Sequence, residues 1–439
     1  MRIASATAVL ALTAALGAAP AARAQTMSPP PPAPIAGRLL TLDEAVAIAL
    51  EKQPQIQARL FDYAAARYRV DQALAPLLPQ FTGTVSATKS QNSVFVGAAA
   101  SPISTMREFN ETFLAQAALS QLLFDFGKNL AATEAARKLS TVALEDVELQ
   151  RQLISLSVKE AYTNILFAQR LIRVSQQALE RAQLNLKSAQ GFFEVGTRPK
   201  SDVARAEVDV ANAKLDLIRA RNAERLARVA LNTAMGIDVD TPTQVQDNLV
   251  YEVVTLDREQ IRAEALRQRP EYRQSKLRAE AAEAQEKQAF RNFFPDITGS
   301  GTYGGVRTEL AENWTVTLSL SWSLYDGGGR IARYREAQAN LEGAQARVKA
   351  TELDVVRDVE QAQLTVLEGA ERIQAAQAAV ASAQENFRLA QGRFDAGVGT
   401  ILEVTDAQLA LTQAQNTEAQ ALTDYRIALY RLDRSRGRR

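Results

Sequence analysis

The side chains best placed to do chemistry in this chain are charges gathered at two short turns. One turn reads Val195-Gly196-Thr197-Arg198-Pro199-Lys200-Ser201-Asp202-Val203 and the other Ala396-Gly397-Val398-Gly399-Thr400-Ile401-Leu402-Glu403-Val404; Arg205 and Asp406 follow just beyond. Asp202 and Glu403 stand where acids cap a helix, and Thr400-x-x-Glu403 has the form of a capping box. Asp406 lies outside capping range. The chemistry open to these groups is electrostatic, because the chain has no histidine and no cysteine. That composition removes the commonest general base, the commonest metal ligand, any thiol nucleophile and any disulfide framework. Of 51 Lys and Arg, Arg2 and Arg23 fall in the leader described below, leaving 49 against 50 Asp and Glu, with no basic excess for nucleic acid. Gly299-Ser-Gly301-Thr-Tyr-Gly304 matches G-x-G-x-x-G, but it lies within one strand and precedes another. Nucleotide binding needs a helix amino terminus there, so no cofactor is expected.

The elements that position the turns come in two copies. Leu78-Pro79-Gln80-Phe81-Thr82-Gly83 returns as Phe294-Pro295-Asp296-Ile297-Thr298-Gly299, a shift of 216; Leu123-Phe124-Asp125-Phe126-Gly127 returns as Leu324-Tyr325-Asp326-Gly327-Gly328, a shift of 201, as does the turn itself. The difference of 15 residues falls between Gly83 and Leu123. It is expected to lengthen a hairpin loop near Lys89 to Arg107. Residues 1–24 read as a signal peptide ending Ala22-Arg23-Ala24, with the mature chain starting at Gln25. Residues 25–38, with Pro29 to Pro32 and Pro34, form an extended segment. Repeat 1 covers 39–235: a helix, a strand pair at about 80–126, a long helix at 130–195 and a helix at 200–235. Residues 236–256 connect it to repeat 2, which covers 257–432: a helix, strands at about 296–325, a long helix at 330–395 and a helix at 400–432. Residues 433–439 are left as a tail.

Trp314-Thr-Val-Thr-Leu-Ser-Leu-Ser-Trp322 alternates apolar side chains with Thr and Ser. Such a strand suits a soluble core or a lipid-facing barrel. The all-hydroxyl polar face, the interfacial placement of Trp314 and Trp322, and the export signal favour the barrel. Four strands per chain cannot close one, and lipid tolerates no open edge, so oligomerisation is required; three copies supply twelve strands. From Ile331 to Phe394 a strict heptad places mostly apolar residues at a and d, with small residues at d in the second half. The same seam recurs 201 residues earlier. The expected fold is mainly α with transmembrane β: two tandem repeats giving four strands per chain to a 12-stranded trimeric β-barrel, continued by a 12-helix α-barrel of antiparallel coiled coils.

The order of Leu-Pro-x-hydrophobic strand entry, Phe/Tyr-Asp-x-Gly strand exit and V-G-T-x-x-x-x-D-V-like turn, found twice over residues 39–432, resembles the TolC-type outer-membrane efflux family. The resemblance implies a homotrimer in the outer membrane of a Gram-negative bacterium, its helical part in the periplasm. It also implies that Val195, Gly196, Thr197, Gly397, Val398 and Gly399 belong to tips that dock a periplasmic adaptor beside an inner-membrane transporter. Arg198, Asp202, Arg205, Glu403 and Asp406 then surround the aperture, and Trp314 and Trp322 meet outer-membrane lipid. The repeat alignment puts Arg205 and Asp406 at equivalent sites, a candidate latch. Val398-Gly399 departs from the family turn, where Arg198 keeps the arginine. The expected function is the passive exit duct of a tripartite efflux system for small molecules. The exit duct of a type I protein-secretion system shares every feature, and a periplasmic coiled-coil scaffold shares the heptads.

Overall fold

Proline and glycine set the chain's joints, and both repeats use them alike. In the computed structural model, which describes residues 37–96, 104–254, 257–306 and 311–439, the chain begins with β1 (Leu39–Leu40), α1 (Leu42–Lys52) and α2 (Pro54–Leu74). Next come β2 (Gln80–Val96), β3 (Ser104–Phe124), α3 (Lys128–Glu194) and α4 (Lys200–Met235). The second half runs β4 (Gln244–Val245), α5 (Arg258–Gln268), α6 (Pro270–Arg291), β5 (Asp296–Val306), β6 (Ala311–Ser321), α7 (Gly329–Asp395) and α8 (Ile401–Ser435). The signal peptide, residues 25–36 and the centre of the long hairpin lie outside the described residues.

The single helix expected at the start of each repeat is two. Pro54 and Pro270 hold the preceding Gln53 and Arg269 in extended conformation, at ψ 118° and 125°, which ends one helix and starts the next. The half-length helices meet end to end at this break. Gly236, left-handed at φ +70°, closes α4 against Gln53, and Gln53 Nε2 donates to the carbonyls of Thr233 and Ala234 at 3.3 and 3.0 Å. Gly437, at φ +87°, closes α8 against Gln268 and Arg269 in the same way. A Cβ at either glycine would lie within 3.0 Å of backbone. Residues 433–439 are accordingly no loose tail: α8 runs to Ser435, Gln152 Nε2 donates to the Gly437 carbonyl at 2.8 Å, and Arg438 and Arg439 pair with Glu264 and Glu148.

The helices form a wall of four columns. On the strand side α3 packs against α2 and α6, and α6 against α7; on the turn side α3 packs against α4 and α8, and α8 against α7. Columns one and three are stacks of short helices, and columns two and four are α3 and α7, each 67 residues and about 100 Å long. Both long helices start just after an aspartate, Asp125 directly following β3 and Asp326 five residues past β6. Asp125, buried, accepts from the Gly127 and Asn129 amides at 2.9 and 2.7 Å, and Asp326 accepts from the Arg330 amide at 2.9 Å. This is the physical content of the Phe/Tyr-Asp-x-Gly motif. At mid-height residues 236–256 are not a featureless connection: β4 pairs in parallel with β1 and straps the wall. The buried Tyr162 hydroxyl lies 2.9 and 2.8 Å from the Leu40 and Gln246 carbonyls; burial pushes its pKa up to about 12, so it remains a donor at any physiological pH.

The sheet has the order β2-β3-β5-β6, antiparallel throughout, in the same order as the columns its strands feed. Its hairpins share one register. Gln80 pairs with Ser120 and Ser90 with Asn110 in the first, and the repeat equivalents Asp296 with Ser321 and Val306 with Ala311 in the second. The extra residues of repeat 1 do not all enter a loop, as the sequence suggested. Residues 91–96 pair with 104–109, so most of the insertion extends the strands. β6 ends at Ser321, placing Trp322 just past the strand, where its indole N–H donates to the Phe293 carbonyl at 3.0 Å. No helix among the described residues is long and apolar enough to cross a membrane.

Candidate functional site

The register assigns every side chain of the sheet to one of two faces. Ile297, Gly299, Gly301 and Tyr303 of β5 stand opposite Leu320, Leu318, Val316 and Trp314 of β6, while Phe81, Gly83, Val85 and Ala87 of β2 oppose Leu119, Ala117, Ala115 and Phe113 of β3. The other face carries Thr82, Thr84, Ser86 and Thr88 on β2, Thr298, Ser300 and Thr302 on β5, and Thr315, Thr317 and Ser319 on β6. One face is hydrocarbon across all four strands; the other is hydroxyl on β2, β5 and β6, while β3 presents Thr112, Leu114, Gln116, Ala118 and Ser120 there. Nothing among the described residues covers the hydrocarbon: Trp314, Val316, Leu318 and Leu320 are 71, 78, 73 and 64% exposed. A sheet that buries neither face cannot be a soluble core. From Ile297 to Tyr303 the apolar rows advance about 20 Å along the strand, or about 15 Å along the normal at a barrel tilt near 40°, which fits inside the apolar belt of an outer-membrane barrel.

An aromatic collar closes the belt on the helix side. A bulge at Leu122/Phe124 leaves Leu123 near Gly299 and Phe124 opposite Ile297, both on the apolar face. Phe126 packs edge-on to Phe124 at 4.8 Å and stacks on Phe294 at 5.1 Å; Phe290, Phe293 and Tyr334 complete the cluster. Phe126 has φ +56°, where repeat 2 has Gly327. These six rings come from separate segments, and only their placement before Pro295 and around Asp125 hints at the collar in the sequence.

At the opposite end the two turns lie side by side. Each long helix is closed by a left-handed glycine, Gly196 and Gly397, both at φ +78°. The Thr197 amide and hydroxyl both donate to the Phe192 carbonyl at 2.9 Å, and the Val398 and Gly399 amides donate to the Arg393 carbonyl at 3.0 and 2.9 Å. Gly399 is required by contact, since a Cβ there would meet Arg393 Cβ at 2.9 Å. Thr400 accepts from the Glu403 amide at 3.3 Å, and Glu403 also pairs with Arg393 at 3.4 Å. Thr400 is therefore the cap, and the Glu403 carboxylate receives the Thr400 hydroxyl at 3.3 Å rather than the Thr400 amide that a full capping box would bring. Val195 and Val398 project, exposed, from the two tips.

Arg198 crosses from the first tip to the second. Its guanidinium donates to the carbonyl of Gly399, its own repeat equivalent, stands 5.0 Å above the Phe394 ring, and lies 3.9 Å from Asp202. Phe394 is fully buried among Ala390, Ile401, Val404 and Ala407, and Phe192 packs edge-on against it at 5.6 Å. Arg198 and Asp202 thus join the tips of one chain. Arg205 and Asp406 are both exposed, and the chain does not pair them with each other. The direct contact between α4 and α8 is made nearby instead, Thr405 Oγ1 donating to Asp209 Oδ2 at 2.8 Å. Replacing Arg198 by Ala is expected to loosen the second tip by about 1–2 kcal/mol, the sum of one carbonyl contact and one cation–π contact. Amide exchange at Thr400 to Val404 should accelerate correspondingly, while exchange in the sheet stays unchanged.

The family model described as outer membrane efflux protein matches residues 45–237 and 261–438, one segment per repeat. The chain belongs to the outer membrane efflux protein family. It is 27% identical to the outer membrane protein TolC of Escherichia coli over 85% of this chain and 77% of that protein. It is 25% identical to the alkaline protease secretion protein AprF of Pseudomonas aeruginosa over 88% and 82%. Its fold is that of the outer membrane protein VceC of Vibrio cholerae, at a TM-score of 0.78 and 21% identity over 90% of this chain and 96% of that one. The chain is thus an efflux channel of the Gram-negative outer membrane, with the exposed hydrocarbon face at one end of the helical wall and the tips at the other.

Proposed function

We propose that three copies close into one duct, twelve strands through the outer membrane and a twelve-column helical tunnel below, and that the duct is the passive exit of a tripartite efflux system for small molecules. The observation that carries this reading is the four-stranded sheet with a hydrocarbon face, a hydroxyl face and two open edges, β2 and β6. Unpaired strand edges are not tolerated in lipid, and a second and third copy satisfy them. The helical wall has matching edges: Phe61, Tyr68, Val208, Leu215 and Ile218 are exposed on column one, and Leu353, Leu364 and Leu367 on α7. Crosslinking in native membranes should give a ladder that stops at three, and a dimer or an open series would rule the assembly out.

In this assembly the tips, with Val195, Gly196, Thr197, Gly397, Val398 and Gly399, dock a periplasmic adaptor, which links the duct to an inner-membrane transporter that supplies the energy. Three Arg205 and three Asp406 alternate around the aperture, where their pairing between neighbouring tips holds the resting state closed; Arg198 and Asp202 keep each chain's own two tips together. Arg205→Glu replaces attraction by repulsion, and its single-channel conductance in planar bilayers should exceed the wild type's. Equal conductance would remove the latch. The likeness to a protease secretion protein supports a second reading, an exit duct for secreted protein. Co-purification of the transporter component separates the two.

A further inference from the structure

We propose that the pocket beneath the aromatic collar binds the headgroup of a zwitterionic glycerophospholipid of the periplasmic leaflet, its phosphate on Arg291 and its ammonium on Glu286. The cavity, 510 Å³, is lined by Phe126, Phe290, Phe294 and Tyr334 on one side and by Glu286, Lys287 and Arg291 on the other. Its position follows from the chain. Phe294 lies two residues before β5, Phe126 two residues after β3, and both continue the hydrocarbon face through the exposed Phe124 and Leu123. An acyl chain laid along those side chains brings its headgroup to the pocket, at the depth where aromatic anchors and basic residues meet lipid phosphates.

The charges select the head. Lys287 is neutralised by Glu283 at 2.8 Å. Arg291 Nη1 donates to the Gly127 carbonyl at 2.7 Å, and among the described residues no carboxylate lies within ion-pair distance of it. Glu286 receives the Tyr334 hydroxyl, which it holds above the usual phenol range, and has no cation partner among the described residues. The two stand five positions apart on α6, beyond the three- and four-residue spacings that pair side chains along a helix, and no ion pair joins them. Both are half-buried. A half-buried unpaired charge is unfavourable, and a ligand carrying phosphate and ammonium compensates both at once. A purely anionic head would satisfy Arg291 and leave its own charge beside Glu286.

The site rests on the reading of the hydrocarbon face as lipid-facing. The test reconstitutes the full-length channel in vesicles of equal phosphatidylethanolamine and phosphatidylglycerol, records conductance, and measures retained lipid by native mass spectrometry. The wild type should retain phosphatidylethanolamine about tenfold over phosphatidylglycerol, the discrimination expected of one charge-assisted contact. Arg291→Gln should lose most retained phospholipid and Arg291→Lys keep it, while Glu286→Gln should keep phospholipid and equalise the two classes. A conducting wild type with no preference, or Arg291→Gln with undiminished lipid, overturns the site and leaves the channel intact. Displacement of the lipid by soluble phosphoethanolamine at equal concentration would make the ligand a free phosphate amine and overturn the lipid assignment. Failure of the wild type to insert at all would count against the lipid-facing sheet itself.

Discussion

Leu318→Arg should abolish the assembled channel, whereas Thr317→Lys, one residue away, should leave it assembled. Leu318 projects from the hydrocarbon face near the middle of β6, and Thr317 from the hydroxyl face. A guanidinium at the centre of an apolar belt costs about 2–4 kcal/mol in each chain, a cost that recurs in every copy of the proposed trimer. A lysine at Thr317 enters the wet bore and keeps its hydration. The measurement is the fraction of protein recovered as heat-resistant oligomer from outer membranes. If both variants fail, or both assemble, the two faces are not chemically distinct as the register has them. The contrast also separates a barrel from a soluble sheet, in which the arginine would simply be solvated.

The second large effect is expected at the far end. Phe394→Ala removes the one fully buried ring of the tip core, and with it the edge-on contact to Phe192 and the face on which Arg198 rests. Truncating a buried phenylalanine costs about 3–5 kcal/mol. Because this core is small and lies far along α7 from the mid-height core, the loss should be local. Amide exchange across residues 387–407 should approach that of open chain, and the sheet and the β1/β4 strap should keep their protection. A double-mutant cycle with Arg198→Ala should return a coupling of about 1 kcal/mol, the size of a partly buried cation–π pair. Additive effects would mean that Arg198 acts through the Gly399 carbonyl alone.

Features encoded by period are legible in the sequence, and features encoded by single residues are not. The alternation from Trp314 marks β6 and its two faces by itself, because a period of two repeated over many residues leaves little ambiguity. The long helices are equally plain, each closed by a glycine that the repeat alignment doubles. The helix break before Pro54 and Pro270 escapes such a reading because one proline must override a helical period on both sides, and its meaning lies in contact with Gly236 and Gly437, far off in the chain. The β1/β4 strap escapes for a similar reason: two residues per strand carry no period, and its anchor, Tyr162, looks like any helical aromatic. At the tip, the charges are visible in the sequence but not their partners. Arg198, expected at the aperture, reaches the turn of its own chain, a contact that only the proximity of the two repeats reveals.

The repeat comparison also gives the molecule's asymmetry a physical form. The first tip has an arginine arm and the second a glycine that receives it, so one chain's two tips are tied to each other. In the proposed trimer the seam between protomers, where Arg205 and Asp406 would meet, is where opening is expected. At the other end, Phe126 keeps a left-handed backbone that Gly327 adopts without strain, and its ring completes the collar. Similarities between the copies build a wall, and differences place its working parts.

In the proposed channel the sheet stands in the bilayer with its hydrocarbon face outward and its hydroxyl face on water. The absence of cysteine makes the direct measurement clean: single cysteines placed from Trp314 to Leu320 and probed in native outer membranes. Thr315, Thr317 and Ser319 positions should react with a charged, water-soluble thiol reagent, and Trp314, Val316, Leu318 and Leu320 positions should resist it while a label there is quenched by lipid-borne nitroxide. Water-soluble labelling at the even positions, or no alternation at all, would contradict the account.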